Sequence, residues 1–381
     1  DRPTRIVGPD GAVTTFLYDS EGRLLARTVA SGTSAEATAI YAYDNDDNIV
    51  SVTDPIGRVT RHTYDDEHHR LTTTDPLGRV IKMAYDEHYN LASVTASDST
   101  VIRHTYDFAD RRTATTDALG QTTRFAYDDV GRMTSLTDAR RSVYRWEYDA
   151  TGRKTAMIYP DNSRETWTYD IGGRIITSTT RASQMKTFSY DAQGRLVAEV
   201  WADHAAPDSR YTYTTLGQLA TLDNGVAAVI YTYDAVGRVT SETSTRAGQA
   251  PLTVGQGYDA STGRRATLTY PSGAVASQTY SPRGEIASLS LDGASAATFG
   301  YDLAGQRTTT LRANGVKTTD TTDAAGQLLA VLHTLDTTTL ASTHYELDTA
   351  GRRVAKTDES GWTEHYGYDA TGQLTNVDYL E

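Results

Sequence analysis

Residues 146–174 read WEYDATGRKTAMIYPDNSRETWTYDIGGR. This segment contains one pattern twice: an aromatic residue, a spacer, Tyr-Asp, two variable residues and then Gly-Arg, with the two copies 21 residues apart. The first copy runs from Trp146 to Arg153 and the second from Trp167 to Arg174. A pattern that recurs at a fixed spacing of this size is typical of repeat proteins, in which each copy forms one supersecondary unit.

The same spacing extends over most of the chain. Thr322 and Leu347 replace the Tyr of the Tyr-Asp pair in two degenerate copies. The other fifteen copies contain Tyr18, Tyr43, Tyr64, Tyr85, Tyr106, Tyr127, Tyr148, Tyr169, Tyr190, Tyr213, Tyr233, Tyr258, Tyr280, Tyr301 and Tyr368. Seventeen copies of about 21 residues predict that residues 1–381 form a single repeat array rather than several globular domains. Because the chain begins at Asp1 inside a copy and without Met, we expect a fragment of a longer protein.

Each copy contains two turn signals. The first turn, Asp-x-x-Gly-Arg, follows the Tyr, as in Asp191–Arg195, and the second turn is exemplified by Asp54–Gly57. Asp at the first position accepts a backbone hydrogen bond, Pro at the second presets φ, and Gly supplies a positive φ. Six or seven residues remain between the turns, which is a usual strand length. We therefore predict that every copy is a β-hairpin with four-residue turns and strands of six and seven residues.

One face of the predicted Tyr-Asp strand carries two aromatic columns. The second column lies two residues before the Tyr and contains Phe16, Tyr41, Phe125, Trp146, Trp167, Phe188, Tyr211, Tyr231, Phe299, Tyr345 and Tyr366. This alternation predicts strands and a double aromatic ladder that stacks from repeat to repeat. A sheet of about thirty-four strands is too wide to stay flat. The predicted fold class is all-β, with tandem hairpins forming one long antiparallel sheet that coils into a spiral or partial shell.

Composition excludes several classes of function. The net charge is −13, from 36 Lys plus Arg against 49 Asp plus Glu, so nucleic acid is not an expected partner. The chain has no Cys, which excludes disulfides, thiolate metal sites and a Cys nucleophile. No apolar run is long enough to span a bilayer. No common catalytic or nucleotide-binding motif is present, so we predict no catalytic residues and no cofactor.

The recurring Tyr-Asp-x-x-Gly-Arg motif, as in Tyr190–Arg195, resembles the YD-repeat or RHS-repeat family from about Val7 to Tyr379. That family includes bacterial Rhs polymorphic toxins, the B and C components of insecticidal Tc toxins, wall-associated bacterial proteins and the animal teneurins. The resemblance implies a β-sheet spiral that forms a hollow shell, which in the toxins encloses a C-terminal effector. It therefore also implies a secreted or bacterial cell-surface protein whose partner is the effector domain of the same parent chain.

Two departures from the toxin shells limit what the resemblance implies. Those shells end in a segment resembling Asp-Pro-x-Gly-Leu that includes an aspartyl autoprotease. Here Asp54-Pro55 and Asp75-Pro76 belong to ordinary second turns, and no such segment follows Tyr368, so self-cleavage is not carried over. No effector domain is present either, and seventeen copies are fewer than a full shell contains. We therefore expect a partial wall or an open spiral.

A ligand-binding surface is the main alternative to a purely structural role. Its candidate residues are Trp146, Trp167, Arg153, Arg174 and Arg195. A row of guanidinium groups beside aromatic rings could bind a cell-surface glycan. The competing interpretation is that each Arg pairs with the Asp of its own turn, such as Asp191 with Arg195, and that the aromatic rings are a packing layer.

A cluster of acidic and His residues is the candidate metal site. It contains Asp46, Asp47, Glu67, His68, His69, Glu87 and His88. Equivalent turns of adjacent repeats lie two strands, or roughly 10 Å, apart, which is too far for one ion to bridge easily. Asp47, His68, Tyr89 and Asp110 replace the turn Gly in these copies, and Asp and His tolerate a positive φ. We therefore predict no metal site, although Tyr89 lacks an explanation.

The sequence thus favours a non-catalytic repeat scaffold that forms part of the encapsulating shell of a secreted bacterial toxin. A carbohydrate-binding surface adhesin is the first alternative. A polysaccharide-degrading enzyme on a β-repeat scaffold is the second.

Overall fold

The computed structural model describes residues 2–203 and 207–380, and this part of the chain contains strands and turns but no helix. The 35 strands form one antiparallel sheet in which each strand pairs with the strands before and after it in sequence. The all-β fold class predicted from the repeats is therefore confirmed. Within the described residues, no helix could cross a membrane.

Strands alternate between two kinds along the chain. Seventeen end at the Tyr of the Tyr-Asp pair or its equivalent: β2 Val13–Tyr18, β4 Ala37–Tyr43, β6 Val59–Tyr64, β8 Val80–Tyr85, β10 Val101–Tyr106, β12 Thr122–Tyr127, β14 Val143–Tyr148, β16 Arg164–Tyr169, β18 Met185–Tyr190, β20 Ser209–Tyr213, β22 Ala227–Tyr233, β24 Leu252–Tyr258, β26 Val275–Tyr280, β28 Ala294–Tyr301, β30 Val316–Thr322, β32 Thr338–Leu347 and β34 Thr363–Tyr368. The others are β1 Arg5–Val7, β3 Leu24–Val29, β5 Ile49–Thr53, β7 Arg70–Thr74, β9 Leu91–Thr95, β11 Arg112–Thr116, β13 Met133–Thr137, β15 Lys154–Ile158, β17 Ile175–Thr179, β19 Leu196–Trp201, β21 Leu219–Asp223, β23 Val239–Arg246, β25 Arg265–Thr269, β27 Ile286–Leu291, β29 Arg307–Arg312, β31 Leu328–Leu335, β33 Arg353–Asp358 and β35 Leu374–Leu380.

The turns are one residue longer than the sequence predicts, and the strands are correspondingly shorter. In one regular repeat, β7 has five residues and β8 has six, and residues 65–69 and 75–79 form the two turns. In the turn from Asp54 to Arg58, the N–H of Gly57 donates to the carbonyl of Asp54 at 3.0 Å, and the N–H of Asp54 donates to the carbonyl of Arg58 at 2.9 Å. The second bond makes Arg58 the last residue of the turn, whereas the prediction placed Arg58 in the following strand.

The first turn contains the predicted bulge. Between β6 and β7 the register shifts by one residue at Tyr64, next to that turn. The turn position itself has a positive φ, which is +87° at Gly152. Glycine adopts this conformation without the steric cost that a side chain brings, so its recurrence follows from the turn geometry.

The sheet is a single layer. The buried apolar side chains among the described residues are small, namely Ala30, Ala37, Ala156 and Ala355, and no large side chain is fully buried. Both faces are partly exposed along most strands, as in β14, where half-buried Trp146 and Tyr148 flank exposed Glu147. Stability must therefore come largely from contacts between neighbouring repeats rather than from a deep core.

The sheet also coils, so that the row of turns along one side of it meets the row of turns along the other side. First turns near the C-terminus contact second turns near the N-terminus, and we call this line of contacts the seam. The polar contacts of the seam are Arg264 to Asp10, Arg58 to Gln306, Arg79 to Gln327, Ser97 to Thr349 and Arg352 to Asp98. The separation between Arg58 and Gln306 is 248 residues, or about twelve repeats per turn of the spiral.

Candidate functional site

One set of contacts joins each repeat to the next, and we call it the latch. Its members are the Asp and Arg of one first turn and the Tyr-Asp pair of the following repeat. Asp149 accepts hydrogen bonds from the backbone N–H of Arg153 at 2.9 Å and from its Nε at 2.6 Å. Arg153 Nη1 donates to the carbonyl of Asp170 at 3.0 Å, and its guanidinium lies 4.9 Å from the Tyr169 ring centroid. The Tyr169 hydroxyl donates to the carbonyl of Lys154 at 2.5 Å.

The latch recurs along the array. Asp–Arg pairs of the first turn occur at Asp19–Arg23, Asp107–Arg111, Asp128–Arg132, Asp149–Arg153, Asp170–Arg174, Asp191–Arg195, Asp234–Arg238 and Asp348–Arg352. The Arg of each of these repeats also lies 4.4–5.3 Å from the next Tyr ring centroid. A cation over an aromatic face contributes about 0.5–1 kcal/mol at an exposed site. The latch is therefore a small stabilising contact that is repeated many times.

The Arg candidates for ligand binding belong to this latch. Arg153, Arg174 and Arg195 lie in three consecutive first turns, along one edge of the sheet. The Nε of each lies 2.6–2.7 Å from the Asp of its own turn, as the competing interpretation of these residues predicts. Each guanidinium also covers the Tyr ring of the next repeat. Glycan binding by these residues stays a prediction, and the contacts describe a packing role.

The two Trp candidates lie in β14 and β16, on the same face as the Tyr of the latch. Trp146 is half-buried opposite Met157, and the Lys154 ammonium lies 5.5 Å from its ring centroid. Trp167 is half-buried opposite Ser178. The structure therefore brings the two Trp and the three candidate Arg to one side of the sheet, where they form parts of successive repeats.

The predicted stacking of aromatic rings from repeat to repeat is wrong. Among the described residues, no ring contact joins the Tyr of one Tyr-Asp pair to the Tyr of the next. Equivalent residues lie two strands, or roughly 10 Å, apart, whereas aromatic pairs interact at centroid distances of about 4.5–7 Å. The Arg of the latch fills the space between successive rings.

Contacts between neighbouring turns engage two members of the acidic and His cluster, Asp47 and His69. Arg23 Nη1 lies 2.7 Å from the Asp47 carboxylate, which replaces a turn Gly in the next repeat. The His69 ring stacks on Tyr89, with centroids 4.8 Å apart and planes 11° from parallel. Tyr89 thus occupies a turn position with φ of +63° and uses its ring to contact the preceding repeat. No three His, Asp or Glu side chains in the described part of the chain are arranged to hold a metal ion.

The stacking of Tyr89 on His69 leads to a prediction about two residues with a positive φ. Arg141 has φ of +66° and is exposed, whereas Tyr89 has φ of +63° and stacks on His69. We expect Arg141→Gly to raise the free energy of unfolding by up to about 1 kcal/mol, because it removes left-handed strain. Tyr89→Gly should give a smaller gain or a loss, because it also removes the stacked ring. Urea unfolding followed by circular dichroism measures both, and equal gains would contradict a stabilising role for the Tyr89 ring.

The Asp residues of the latch are acidic groups held in the charged form. A hydrogen bond from the backbone N–H of Arg174 and a weaker effect of its guanidinium lower the pKa of Asp170, whereas burial of Asp170 opposes this shift. The backbone N–H and guanidinium of Arg195 lower the pKa of Asp191 in the same way. A carboxylate that accepts several hydrogen bonds is stabilised relative to its protonated form. These pKa shifts are those of a structural ion pair.

Comparisons with known proteins agree with this geometry. The family model described as RHS Repeat matches residues 1–34, 43–80, 66–101, 106–143, 127–164 and 348–379. No curated protein sequence gives a significant match. The crystal structure of TcdB2-TccC3-Cdc42 is similar over 96% of this chain, at 18% identity and a TM-score of 0.80. The Photorhabdus luminescens Tc holotoxin pore with mutation TccC3-D651A is similar over 97% of this chain, at 16% identity and a TM-score of 0.78.

A further structure, TcdB2-TccC3 without its hypervariable C-terminal region, is similar over 97% of this chain at 16% identity and a TM-score of 0.80. The present chain spans only about a quarter of the length of these solved chains, at 23% and 25%. At such identities the similarity establishes a shared fold. The seam is the part of this fold that the repeat pattern alone does not indicate.

Proposed function

Because this chain belongs to the RHS-repeat family, we propose that it forms part of the wall of a hollow shell that encloses a polypeptide segment. The chain is a structural repeat scaffold, and in this proposal it performs no catalysis. The enclosed segment would be a C-terminal effector of the same parent protein, and the parent would be a secreted bacterial toxin.

The observation that carries this proposal is the seam. A coiled sheet without edge-to-edge contacts would leave a gap between successive coils. Here polar contacts join the two coils at four of five successive second turns, from that of Asp10 to that of Ser97 and Asp98. The contacts hold two successive coils of the spiral together, as the wall of a shell requires.

The size of the coil also supports enclosure. About twelve repeats per turn correspond to about 24 strands, which at about 4.8 Å spacing give a backbone diameter of ~40 Å. After side chains on the inner face are subtracted, a lumen about 30 Å wide remains. This width accommodates an extended or partly folded chain. It exceeds what the half-buried side chains of one face could fill.

The similar solved structures support the same role. One of them is the crystal structure of TcdB2-TccC3 without its hypervariable C-terminal region, so the TcdB2-TccC3 protein it derives from has such a region. A shared fold with that protein makes a variable C-terminal segment the natural cargo of this wall. The candidate Arg side chains of the adhesin alternative are engaged in the latch, and no contact among residues 2–203 and 207–380 favours the adhesin or the enzyme over the shell.

Electron cryomicroscopy of the longest natural protein that contains this chain tests the proposal. We expect a closed shell with additional density in its lumen, and a C-terminal segment that resists protease until the shell is unfolded. An open spiral with solvent on both faces and a protease-sensitive C-terminus would overturn the proposal. That result would call for a glycan array, with Trp146→Ala and Trp167→Ala as the variants that remove the alternative binding surface.

A further inference from the structure

The residue that ends each first turn differs between the seam and the rest of the sheet. Outside the five first turns of the seam this position holds Arg23, Asn48, His69, Asn90, Arg111, Arg132, Arg153, Arg174, Arg195, Gln218, Arg238 and Gln373. At the seam it holds Arg264, Glu285, Gln306, Gln327 and Arg352. We call the row of first turns that face no opposing coil the open edge. Arg is the usual residue there and forms the latch, but only two of the five seam positions have Arg.

The opposing second turns account for this difference. Among the regular second turns the corresponding residues are Ala12, Arg58, Arg79, Thr100, Gln121, Ser142, Ser163, Gln184, Ala274 and Trp362. Only Arg58 and Arg79 are Arg in this set, and both face Gln across the seam. Arg58 Nη1 donates to Gln306 Oε1 at 2.9 Å, and Arg79 Nη1 donates to Gln327 Oε1 at 2.5 Å.

The two Gln residues serve both the latch and the seam. Gln306 Nε2 donates to the carbonyl of Gly326 in the next repeat at 3.0 Å, while its Oε1 accepts from Arg58. Gln327 Nε2 donates to the carbonyl of Gly351 at 3.0 Å. An amide offers a donor and an acceptor at one end, whereas a guanidinium offers donors alone. Arg at either position would keep the contact within the sheet but would place a second cation against the opposing Arg.

Where the first turn keeps Arg at the seam, the opposing turn supplies a carboxylate. Arg264 Nη2 lies 3.2 Å from Asp10 Oδ2, and Arg352 Nη2 lies 3.2 Å from Asp98 Oδ2. At the fifth position Glu285 replaces Arg and lies 3.0 Å from Arg283 Nε of its own turn, and Arg27 of the opposing coil lines the same cavity. Four directly contacting pairs thus follow one rule: Arg faces an acceptor, and it never faces another Arg.

We propose that these pairs set the register between successive coils of the spiral. A shift of one repeat would carry Arg352 from Asp98 to Arg79, and the resulting pair would be two cations. The seam is in this sense an interaction surface between two coils of the same chain, whose turn residues are complementary. The inference rests on the coiled fold and is independent of whether the coil encloses a cargo.

Cross-linking of introduced Cys residues tests the register directly. The chain has no Cys, so two substitutions provide its only thiols. Ser97 Oγ donates to the carbonyl of Thr349 at 2.7 Å, so Ser97→Cys with Thr349→Cys reports the observed register. Ser97→Cys with Ala370→Cys reports a shift of one repeat, because Ala370 is the equivalent residue 21 positions later. With a short bismaleimide we expect cross-linking of the first pair and not of the second.

The decisive variant is Gln306→Arg with Gln327→Arg, made in the Ser97→Cys and Thr349→Cys background. Both substitutions restore the residue that is usual in the first turn, so a turn defect is not expected. Like charges placed opposite each other disfavour an interface, so the cross-linking rate should fall at least about tenfold. Adding Arg58→Gln and Arg79→Gln should restore the rate, because the amide and the guanidinium have exchanged places.

Gln218→Arg is the matched control. Gln218 ends a first turn on the open edge, and its Nε2 donates to the carbonyl of Gly237 at 3.1 Å, as in the seam residues. We expect this substitution to leave the cross-linking rate unchanged. Unchanged cross-linking in the Gln306→Arg and Gln327→Arg variant would overturn the proposal. An equal loss with Gln218→Arg, or a failure of the compensating exchange, would also overturn it, since the effect would then lie in the turn.

Discussion

Tyr148→Ala is expected to lower the free energy of unfolding of its part of the array by about 2–3 kcal/mol. The Tyr148 ring is half-buried and lies under the Arg132 guanidinium at 4.9 Å, and its hydroxyl donates to the carbonyl of Met133 at 2.8 Å. The substitution removes all of these contacts at once. Urea unfolding followed by far-ultraviolet circular dichroism measures the loss.

Two further variants separate the parts of this effect. Tyr148→Phe keeps the ring and removes the hydroxyl, so we expect a loss of about 0.5–1.5 kcal/mol, the net contribution of one hydrogen bond. Tyr270→Ala removes a Tyr that lies outside the latch and is 43% exposed, and it should cost less than Tyr148→Ala. A cost for Tyr270→Ala as large as that for Tyr148→Ala would show that the latch is not the source of stability.

The loss caused by Tyr148→Ala should also be local. In a repeat array each unit contacts its neighbours, so stability is close to a sum of unit and interface contributions. We expect hydrogen exchange to accelerate in β13 to β16 and to stay unchanged several repeats away. Uniform acceleration along the chain would instead indicate one cooperative unit.

The sequence predicts the strands well because the same pattern recurs in every repeat. The seventeen Tyr-Asp positions all lie at strand ends, including the degenerate Thr322 and Leu347. The turn length was wrong by one residue, because the closing hydrogen bond of Asp54 reaches Arg58 and not Gly57. Nothing in residue type distinguishes the last turn residue from the first strand residue, so the pattern could not place that boundary.

The seam was beyond prediction from a repeat pattern. Its contacts join residues 248 or more positions apart, and which residues meet depends on the curvature of the whole sheet. Curvature is the sum of small twists between many strands, and no single repeat encodes it. Gln306 and Gln327 interrupt the Arg column twice in succession, but Asn48, His69 and Asn90 interrupt it three times in succession outside the seam. An interruption of the column therefore does not by itself identify the seam.

The acidic and His cluster shows a different limit. His68 and Glu87 are residue types that bind metal ions and lie close together in sequence, but their turns are two strands apart in the sheet. Contacts instead follow the direction of the array, from the end of one turn to the middle of the next, as between His69 and Tyr89. The positive φ of Tyr89 becomes intelligible only when the ring contact with the preceding repeat is known.

Acid is expected to unfold the sheet between about pH 4 and pH 2. The first-turn Asp residues with a lowered pKa are Asp19, Asp44, Asp65, Asp86, Asp107, Asp128, Asp149, Asp170, Asp191, Asp234, Asp259, Asp348 and Asp369. For Asp259, hydrogen bonds led by the Ser261 hydroxyl lower the pKa to about 2.

The sign of the effect follows from which state binds more protons. An unfolded Asp has a pKa of about 3.9, above the folded value, so below about pH 4 the unfolded chain takes up more protons. The stability contributed by these carboxylates is complete above that pH and is lost as the pH falls through the folded pKa values. Burial lowers the pKa of His62 and His104, so a smaller loss should begin below about pH 6.5.

Circular dichroism from pH 7 to pH 1.5 at constant ionic strength measures the transition, and four Asp→Asn substitutions identify its source. Asp128→Asn, Asp149→Asn, Asp170→Asn and Asp191→Asn together replace four consecutive latch carboxylates with groups that do not titrate. An amide keeps one oxygen acceptor for the turn, so this variant should still fold at pH 7, with lower stability. Proton uptake on acid unfolding should fall by nearly four per chain, and the transition should become less steep. An unchanged proton uptake, or a main transition centred near pH 6, would assign acid sensitivity to the His residues, and the latch would then contribute little to the pH dependence of this single-layer sheet.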